Sequence, residues 1–477
     1  MATSLARPTT PATQATTATD AATAAESGAA PHPRALLPVV LTATFMTMLD
    51  FFIVNVAIPS LQTELRAGPA AVQWIVAGFG LALATALITA GRLGDRFGRR
   101  RMFSLGLALF TLASAGCGLA PTATALIAAR AAQGLAAALM GPQVLAILRT
   151  TYTGAAQARA FGMYGLTMGI GAVLGQLIGG LLIRADVLGL GWRSCFLINV
   201  PVGLVTLALV RRAVPESRAP QRQGFDLPGT ALVSAALVAL VLPLVQGPSQ
   251  GWPLWTWECL AGAAVLFALF AVHQRRLATD PVVAPALLRE RAFATGLVTQ
   301  LTFNLGQGSF FLILAVHLQR DHGLDALGSG LLFTSIGAGY LLTSTTAHLV
   351  AARLGRQTIA LGALGMAAGL GLIALAAAEV GTSGSAWWLA PGLFLDGLGM
   401  GLVIAPLTGT VLAGVRPQLV GSAAGVLATV QQVGGALGIA LLGNLFYREG
   451  SFTLSITVPA GLELLLAALV QALPRGN

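Results

Sequence analysis

Apolar stretches of about 20 residues, fourteen in all, constrain the fold of this chain more than any other feature. A helix of that length crosses the apolar core of a bilayer. Only 9% of the 477 residues are charged, and 56% are hydrophobic. The sequence therefore predicts an all-α membrane protein with fourteen transmembrane helices. The predicted spans begin near residues 36, 73, 102, 123, 159, 194, 227, 255, 293, 328, 357, 387, 421 and 453.

The arginines indicate how the chain is oriented. All 27 basic residues are arginine. If the N-terminus is cytoplasmic, 21 of them fall on that side and five outside, while Arg130 lies within a span. This asymmetry follows the positive-inside rule and predicts that both termini are cytoplasmic. The net charge of +10 then reflects orientation, so we expect no nucleic-acid partner.

A degenerate internal repeat predicts the domain organisation. Residues 353–356 repeat residues 96–99 at an offset of 257 positions, but Ala352 replaces Asp95 in the second copy. Six spans need fewer residues than that offset, so we place two extra helices between the halves. The predicted segments are a disordered cytoplasmic tail (1–34), a six-helix bundle (35–212), a cytoplasmic linker (213–226), two inserted helices (227–273), a second cytoplasmic linker (274–292) and a C-terminal six-helix bundle (293–477).

A short basic loop, residues 91–101, joins the second and third spans and contains five arginines, three glycines and one aspartate. Glycines let the backbone bend sharply. A carboxylate beside guanidiniums can form a charge-assisted pair that is made or broken. We therefore predict a cytoplasmic latch, although a simple anchor would also use arginines. The predicted latch residues are Gly91, Asp95, Arg96, Gly98 and Arg99.

Two buried charges are predicted in the first half of the chain. A charged side chain within a membrane helix costs about 2.5–3.5 kcal/mol even on a lenient scale, so Asp50 and Arg130 should face the bundle interior or a watery cavity. Gln133 and Gly134 share the helical face of Arg130. A purely structural pairing is the alternative for both charges.

The fifth span is rich in glycine. Gly171, Gly175 and Gly179 form a stripe of period four, which lets helices pack backbone to backbone. Packing alone is therefore the alternative to a functional role for this span. Gln176 and Gly180 belong to the same segment.

Further polar groups are predicted to line a substrate cavity in the second half. At a rise of 1.5 Å per residue, Asp396 lies about 13 Å below the outer end of its span, at the level of Asp50. Gln307 is the repeat counterpart of Asp50, and Glu463 lies slightly deeper. Because these costly groups share one layer between the repeats, we expect them to face a central cavity.

Asp396 is predicted to select cationic substrates. Gly392 and Gly399 lie on its own helical face, where they are expected to leave space for a ligand. The alternative is a permanent ion pair between Asp396 and Arg130.

Several of these segments resemble the signatures of one transporter family. Loop 91–101 fills the G-x-L-x-D-R-x-G-R-R pattern between helices 2 and 3 of the major facilitator superfamily. Residues 49–59, with Asn55 and Pro59, resemble the L-D-x-x-x-V-N-x-A-x-P motif in helix 1 of its fourteen-helix drug:proton antiporters. Residues 130–134 resemble R-x-x-Q-G of helix 4, and residues 196–203 resemble a further string of that family. The glycine span resembles a motif ending G-P-x-x-G-G, with Gln176 in place of the proline.

The resemblance implies a major facilitator fold with helices arranged 6+2+6 in a bacterial plasma membrane. It also implies alternating access around a central cavity and export of amphipathic, often cationic compounds or antibiotics, driven by inward protons. On this basis we predict that Asp50 carries the proton and that Arg130 modulates its proton affinity. The expected partners are protons, small amphipathic substrates and lipid, and the chain is expected to act as a monomer.

Other functions find less support in the residues. The chain has no lysine, so it has no phosphate-binding G-x-x-x-x-G-K-[ST] loop and no Walker-type ATPase. Its three cysteines and five histidines are scattered, so we expect neither a metal, a cofactor nor an enzymatic site. A proton-coupled importer of a small organic solute would share the fold and the loop, and it remains an alternative. A non-transport membrane sensor would need a soluble domain, for which no segment is available.

Overall fold

The structure is a computed structural model, and its described part is helical with fourteen helices of membrane-spanning length and hydropathy. It describes residues 35–218, 226–277, 283, 285–413, 415–416 and 419–473. The predicted class and helix number are thus confirmed, and each helix begins within a few residues of its expected start. The predicted tail, residues 1–34, lies outside the described residues, as do parts of both linkers.

We label the spanning helices α1 to α14. The first six are α1 (Leu36–Glu64), α2 (Pro69–Phe97), α3 (Arg99–Gly118), α4 (Ala123–Thr151), α5 (Gly154–Ala185) and α6 (Asn199–Ala213), the last preceded by a short helix, Ser194–Leu197. The next two are α7 (Leu227–Gln246) and α8 (Leu254–Arg276). The last six are α9 (Arg291–Val316), α10 (Ala326–Ser344), α11 (Gln357–Val380), α12 (Ala390–Ala413), α13 (Val420–Glu449) and α14 (Phe452–Leu469).

Local sequence signals set several helix ends. The proline at the first position of α2 has the fixed φ that suits a helix start. Thr122 caps α4 by accepting the backbone N–H of Ala125, and Asp325 caps α10 by accepting that of Gly328. Such caps satisfy backbone groups that have no partner within the helix.

The fourteen helices form two bundles and an inserted pair. Helices α1 to α6 pack in one bundle, and α9 to α14 pack in the other. The bundles meet along two seams, α5 against α10 and α2 against α13. Helices α7 and α8 pack on each other, and α7 also contacts α2 and α13. The inserted pair therefore lies beside the α2/α13 seam and leaves the α5/α10 seam uncovered.

We call the end of the molecule that carries loop 91–101 the arginine face, and the other end the opposite face. Polar contacts join the two bundles toward the opposite face. Because these contacts hold residues of the two bundles together there, the opposite face is the closed end of the interface. Gln62 Nε2 donates to the Tyr447 hydroxyl over 3.4 Å, Gln73 Nε2 donates to Asn444 Oδ1 over 3.1 Å, and Gln319 Nε2 donates to the carbonyl of Val56 over 3.1 Å.

Candidate functional site

Asp50 lies in the middle of α1 and is completely buried. Its Oδ2 accepts a hydrogen bond from Arg130 NH1 over 2.5 Å. Its Oδ1 accepts from Gln133 Nε2 and from Asn199 Nδ2, each over 2.8 Å. Three helices, α1, α4 and α6, therefore meet at one carboxylate whose charge is matched by a guanidinium and two amides.

Arg130 is also fully buried, and aromatic rings enclose it. Its Nε donates to the carbonyl of Ile75 over 3.1 Å. Its guanidinium carbon lies 4.5 Å from the ring centre of Phe79 and 5.7 Å from that of Phe196. These rings shield the charge from water and attract it through their electron-rich faces. NH2 of Arg130 has no hydrogen-bond partner among the described residues, so one donor nitrogen is left over.

Gln133 links the charged pair to α3. Its Oε1 accepts from Arg130 NH1 over 2.8 Å, and its Nε2 donates to Ser114 Oγ over 2.7 Å as well as to Asp50. The neighbouring Gly134 lies against the carbonyl of Phe79, where a Cβ would overlap that oxygen. The arginine and glutamine thus lie on one face of α4, as their spacing predicts, and Gly134 lets α4 approach α2 closely enough for Arg130 to reach Ile75.

Two members of this cluster were not predicted as site residues, namely Asn199 and Ser114. Asn199 lies within the string of residues 196–203 that resembles a family motif, so its position carried a signal. Ser114 lies in an ordinary apolar helix, and nothing in the sequence marks it.

The other two residues of the helix 1 motif do not contact Asp50. Asn55 is buried, and its Nδ2 donates to the carbonyl of Phe52 within the same helix over 3.1 Å. Pro59 lies inside α1 and has no N–H to donate to the preceding turn. The carbonyl of Val56, in that turn, accepts from Gln319 of the other bundle. The segment of α1 between Asn55 and Pro59 therefore includes one contact with the other bundle near the opposite face.

The glycine stripe of α5 packs against α1 beside Asp50. Cβ atoms added at Gly171, Gly175 or Gly179 would lie within 3 Å of α1 atoms, among them the carbonyl of Leu49 at 2.9 Å from Gly175. The packing role considered for this stripe is therefore present in the structure.

Two neighbouring residues of α5 face the other bundle. Gly180 lies against the backbone of Ala326 and Leu327 at the start of α10, and Gln176 lies against Gly330. The amide of Gln176 is buried, with no hydrogen-bond partner among the described residues. Helix α5 thus contacts α1 on one face and α10 on another, so it physically connects the Asp50 cluster to the bundle interface.

Residues 91–101, predicted as a loop, form the end of α2 and the start of α3, with Gly98 alone between the two helices. Asp95, Arg99 and Arg100 of this segment make polar contacts within the N-terminal bundle. Asp95 Oδ1 accepts from Arg99 NH2 over 2.8 Å, one helical turn away. Gly98 has a φ of 110°, a conformation that glycine adopts without strain. Gly91 lies against Pro142 of α4. Arg96 stacks on the ring of Phe97 at 5.5 Å. A latch between the bundles stays a prediction, because Asp95 pairs here within its own loop.

Glu216, which follows α6, anchors this loop and was not predicted. Its Oε1 accepts the backbone N–H of Arg100 over 3.1 Å, and its Oε2 lies 3.7 Å from the side chains of Arg100 and Arg101. Glu216 is an isolated acid in a charged linker, so sequence reasoning had no basis on which to pair it with the loop.

The C-terminal bundle encloses the three residues predicted to line a substrate cavity. Asp396 and Glu463 are 0% exposed, and Gln307 is 7% exposed. No carboxyl oxygen of Asp396 or Glu463 has a hydrogen-bond partner among the described residues. Arg130 pairs with Asp50, so the alternative ion pair between Asp396 and Arg130 is not formed in this structure. Selection of cations by Asp396 stays a prediction.

The space expected beside Asp396 is filled by protein. A Cβ at Gly392 would lie 2.7 Å from Ile373 and 2.9 Å from the carbonyl of Gly369, and one at Gly399 would overlap the backbone of α11. The expectation that Gly392 and Gly399 leave room for a ligand is therefore wrong for this conformation. Spacing placed these glycines correctly on one face, but the neighbouring helix occupies that face.

A separate cavity of about 380 Å³ lies where the inserted helices meet both bundles. Helices α2, α7, α8, α9 and α13 line it, mainly with leucine, valine and phenylalanine. Four threonines contribute hydroxyl groups: Thr85, Thr89, Thr230 and Thr429. Cavities of this size accept drug-sized ligands. Sequence reasoning missed it because its lining residues cannot be distinguished from packing residues along a single helix.

Asp226 holds the inserted helices together at the arginine face. Its carboxylate accepts the backbone N–H of Gly229 over 2.8 Å and the Nε2 of Gln274 over 2.5 Å, and it lies 2.7 Å from His273 Nε2. Burial opposes ionisation of Asp226, but the hydrogen bonds from His273, Gln274 and Gly229 outweigh it and lower the pKa of this carboxyl below its ordinary value. This cluster of four residues was not predicted.

Comparison with known sequences yields a family and several relatives. Residues 40–439 match the model of the Major Facilitator Superfamily. The chain is 39% identical to the "Probable actinorhodin transporter" of Streptomyces coelicolor, over 88% of this chain and 74% of that protein. It is 37% identical to "Puromycin resistance protein pur8" of Streptomyces alboniger, over 86% and 82%. It is 34% identical to "Multidrug resistance protein Stp" of Mycobacterium tuberculosis, over 88% and 77%.

Solved structures resemble this one in fold. A peptide transporter POT in complex with sulfate matches with a TM-score of 0.69 at 17% identity, over 92% of this chain and 94% of that one. The xylose transporter XylE from E. coli, in a partially occluded inward open conformation, matches with a TM-score of 0.65 at 14% identity, over 92% and 98%. At these identities the likeness concerns the fold alone.

Proposed function

The chain belongs to the Major Facilitator Superfamily, and from that premise we propose that it is a proton-coupled antiporter that exports small amphipathic compounds, antibiotics among them. It is a multi-pass membrane transporter and not an enzyme. Relatives named for antibiotic resistance, export and multidrug resistance support export as the direction. The observation that carries proton coupling is the fully buried ion pair between Asp50 and Arg130. One chain supplies both bundles, so we propose that a monomer is the working unit.

Asp50 is the group that takes up and releases the coupling proton. A proton on Asp50 removes the negative charge that Arg130 neutralises, and an uncompensated guanidinium in a water-free bundle is unstable. Protonation therefore favours a rearrangement of α1 relative to α4 in which Arg130 finds water or another acceptor. Deprotonation restores the arrangement seen here, with three donors on one carboxylate.

Helix α5 transmits that rearrangement to the interface between the bundles. Its glycine stripe fixes α5 to α1 at Gly175, within one turn of Asp50, and Gly180 fixes it to α10. A shift of α1 therefore changes the α5/α10 seam, which is one of the two seams along which the bundles must rock for alternating access. The cavity lined by α2, α7, α8, α9 and α13 touches the other seam, and it offers an apolar site for the exported compound.

The energetics suit such a pump. One proton entering across about 150 mV releases about 3.5 kcal/mol, and each unit of pH gradient adds about 1.4 kcal/mol. For a neutral compound exchanged for one proton, the voltage term alone sustains a gradient of several hundredfold. For a monovalent cation exchanged one for one, the voltage term cancels and only the pH term remains.

Transport by purified protein in liposomes tests this function. An imposed pH gradient should drive accumulation of a fluorescent amphipathic cation without ATP, and a protonophore should abolish it. Asp50→Asn should remove the accumulation while leaving downhill exchange of the same dye. Thr358→Val, which changes a buried hydroxyl of α11 that has no hydrogen-bond partner among the described residues, should behave like wild type. Accumulation by Asp50→Asn against a gradient would contradict the role given to Asp50.

We also propose that the arginine face is cytoplasmic, on the basis of the arginine distribution. Single cysteines at Gly68, exposed at the opposite face, and at Arg353, exposed at the arginine face, test this orientation in a Cys259→Ser background. An impermeant maleimide applied to intact cells should label the first and not the second. Labelling of the second site from outside would reverse the orientation.

A further inference from the structure

Two carboxyl groups lie buried in the C-terminal bundle, and the mechanism proposed above uses neither. All four oxygens of Asp396 on α12 and Glu463 on α14 lack a hydrogen-bond partner among the described residues. The two groups are close enough for their charges to interact, and Gln307 of α9 lies near Glu463 without forming a hydrogen bond to it. Gln307 is itself buried, and its Oε1 also has no partner among the described residues.

Among the described residues, the surroundings of this pair supply no positive charge. Helices α9, α10, α11 and α13 pack against α12 or α14. In the part of the chain that the structure describes, their charged residues lie at or near helix ends, such as Arg291 on α9, Glu379 on α11 and Arg448 on α13. Tyr340, a titratable group of α10, contacts Gly169 of the other bundle. Within the described part of the chain, the pair therefore has no counter-ion comparable to Arg130.

Close backbone packing keeps water away from the pair. A Cβ at Gly369 of α11 would lie 2.6 Å from the backbone nitrogen of Asp396, and one at Gly397 would overlap the carbonyl of Ile336 on α10. Glu463 points at α9, since a Cβ at Gly306 would lie 3.3 Å from its Oε1. Neither carboxyl thus reaches solvent in this conformation.

The unpaired acceptor oxygens of this cluster indicate what it binds. The cluster offers five acceptor oxygens, two on each acid and one on Gln307, and these lack donors among the described residues. An ionised carboxylate buried without a counter-ion or a donor is so costly that the group takes up a proton instead. A protonated carboxyl also supplies the missing donor, because its O–H can bond a neighbouring acceptor.

We propose that Asp396 and Glu463 form a second proton-binding site, which is filled in this conformation and exchanges its protons during the transport cycle. This inference rests on the proposed function, because it adds protons to the same exchange. Gln307 of α9 is the repeat counterpart of Asp50, so the second bundle has an amide at the position where the first has an acid. Each bundle then carries one proton site, paired with arginine in the first and free of cations in the second.

Proton counting in liposomes and infrared spectroscopy together test the site. The number of protons moved per exported dye is obtained from the voltage at which net flux stops. Asp396→Asn and Glu463→Gln mimic the protonated forms, so each should fold, and each should move fewer protons per dye than wild type. Each should also remove part of the infrared C=O band of protonated carboxylic acids at neutral pH. Thr358→Val, a buried and non-titratable change in the same bundle, should leave both readouts unchanged.

The outcomes separate this inference from the proposed function. Export by wild type without any proton movement would refute the antiporter and this site together. Proton movement that Asp50→Asn abolishes, but that both C-terminal variants leave at the wild-type number, would refute only the second site. An unchanged infrared band, or displacement of the band by sodium at fixed pH, would also overturn it. Weaker export of dications by Asp396→Asn with an unchanged proton number would assign Asp396 to substrate selection instead.

Discussion

The two bundles bury acids in opposite ways. In the N-terminal bundle, Asp50 accepts hydrogen bonds from Arg130, Gln133 and Asn199, so its charge is fully matched. In the C-terminal bundle, Asp396 and Glu463 have no hydrogen-bond partner among the described residues and no cation beside them. The same residue type at similar depth thus lies in a satisfied charged network in one half and in an apolar enclosure in the other.

The difference shows that burial alone does not decide how much a carboxyl group in a membrane helix contributes to the stability of the fold. A paired charge depends on its partner, and removal of either member leaves an uncompensated charge. An unpaired acid has no such partner to lose, so replacing it with its amide removes little. Stability measurements can therefore distinguish the two halves independently of transport.

The largest effect is expected for Arg130→Met, which leaves Asp50 buried without its cation. We expect a loss of about 3–5 kcal/mol in the free energy of unfolding, measured by denaturant titration in detergent. Asp396→Asn, the matched change in the other bundle, should alter it by less than about 1 kcal/mol. Adding Asp50→Asn to Arg130→Met should restore part of the loss. Equal destabilisation by Arg130→Met and Asp396→Asn would remove the contrast between the halves.

A smaller loss is expected for Gly134→Ala, which pushes α4 away from the carbonyl of Phe79. Overpacking of this kind costs about 1–3 kcal/mol, and it should also weaken the reach of Arg130 to Ile75. Gly162→Ala lies on α5 of the same bundle with no atom within 4 Å of the added Cβ, so it should be neutral or slightly stabilising. Melting temperatures of the two variants test this, and identical values would mean that the close approach is not needed.

Asp226, a carboxylate outside the spanning helices, allows the comparison of buried acids to be made as a function of pH. Because the pKa of Asp226 is lowered in the folded protein, its stabilisation is present above the unfolded value of about 3.9 and is lost as the pH falls through the folded value. Asp226→Ala should therefore cost about 0.5–2 kcal/mol at neutral pH. The difference from wild type should shrink on acidification below about pH 4. A difference that stays constant with pH would show that the carboxylate charge is not the cause.

The smallest effect on stability is expected for Asp95→Asn. Its pair with Arg99 is partly exposed, and such pairs contribute about 0.3–0.5 kcal/mol. If the loop acts as a latch in another conformation, transport should nevertheless be lost while abundance and dye binding stay near wild type. Glu216→Gln, which loosens the loop without touching Asp95, serves as the control. Normal transport by Asp95→Asn would reduce the loop to an anchor.

The sequence by itself determined the class of fold and the positions of its helices. Apolar runs of spanning length can be read locally, because each must cover its own segment of bilayer. The costly charges Asp50, Arg130 and Asp396 were also identified from their positions alone, since no apolar span carries them without a reason. Local spacing further placed Arg130 and Gln133 on one helical face.

Only the tertiary structure decided which of these residues meet. It paired Arg130 with Asp50 rather than Asp396, and it added Asn199 and Ser114 to the pair from two other helices. It also filled the space beside Asp396 with α11 and opened a cavity at the inserted helices instead. The physical reason is that helical periodicity fixes which face a residue occupies, whereas the helix that covers that face depends on packing between separate segments of the chain.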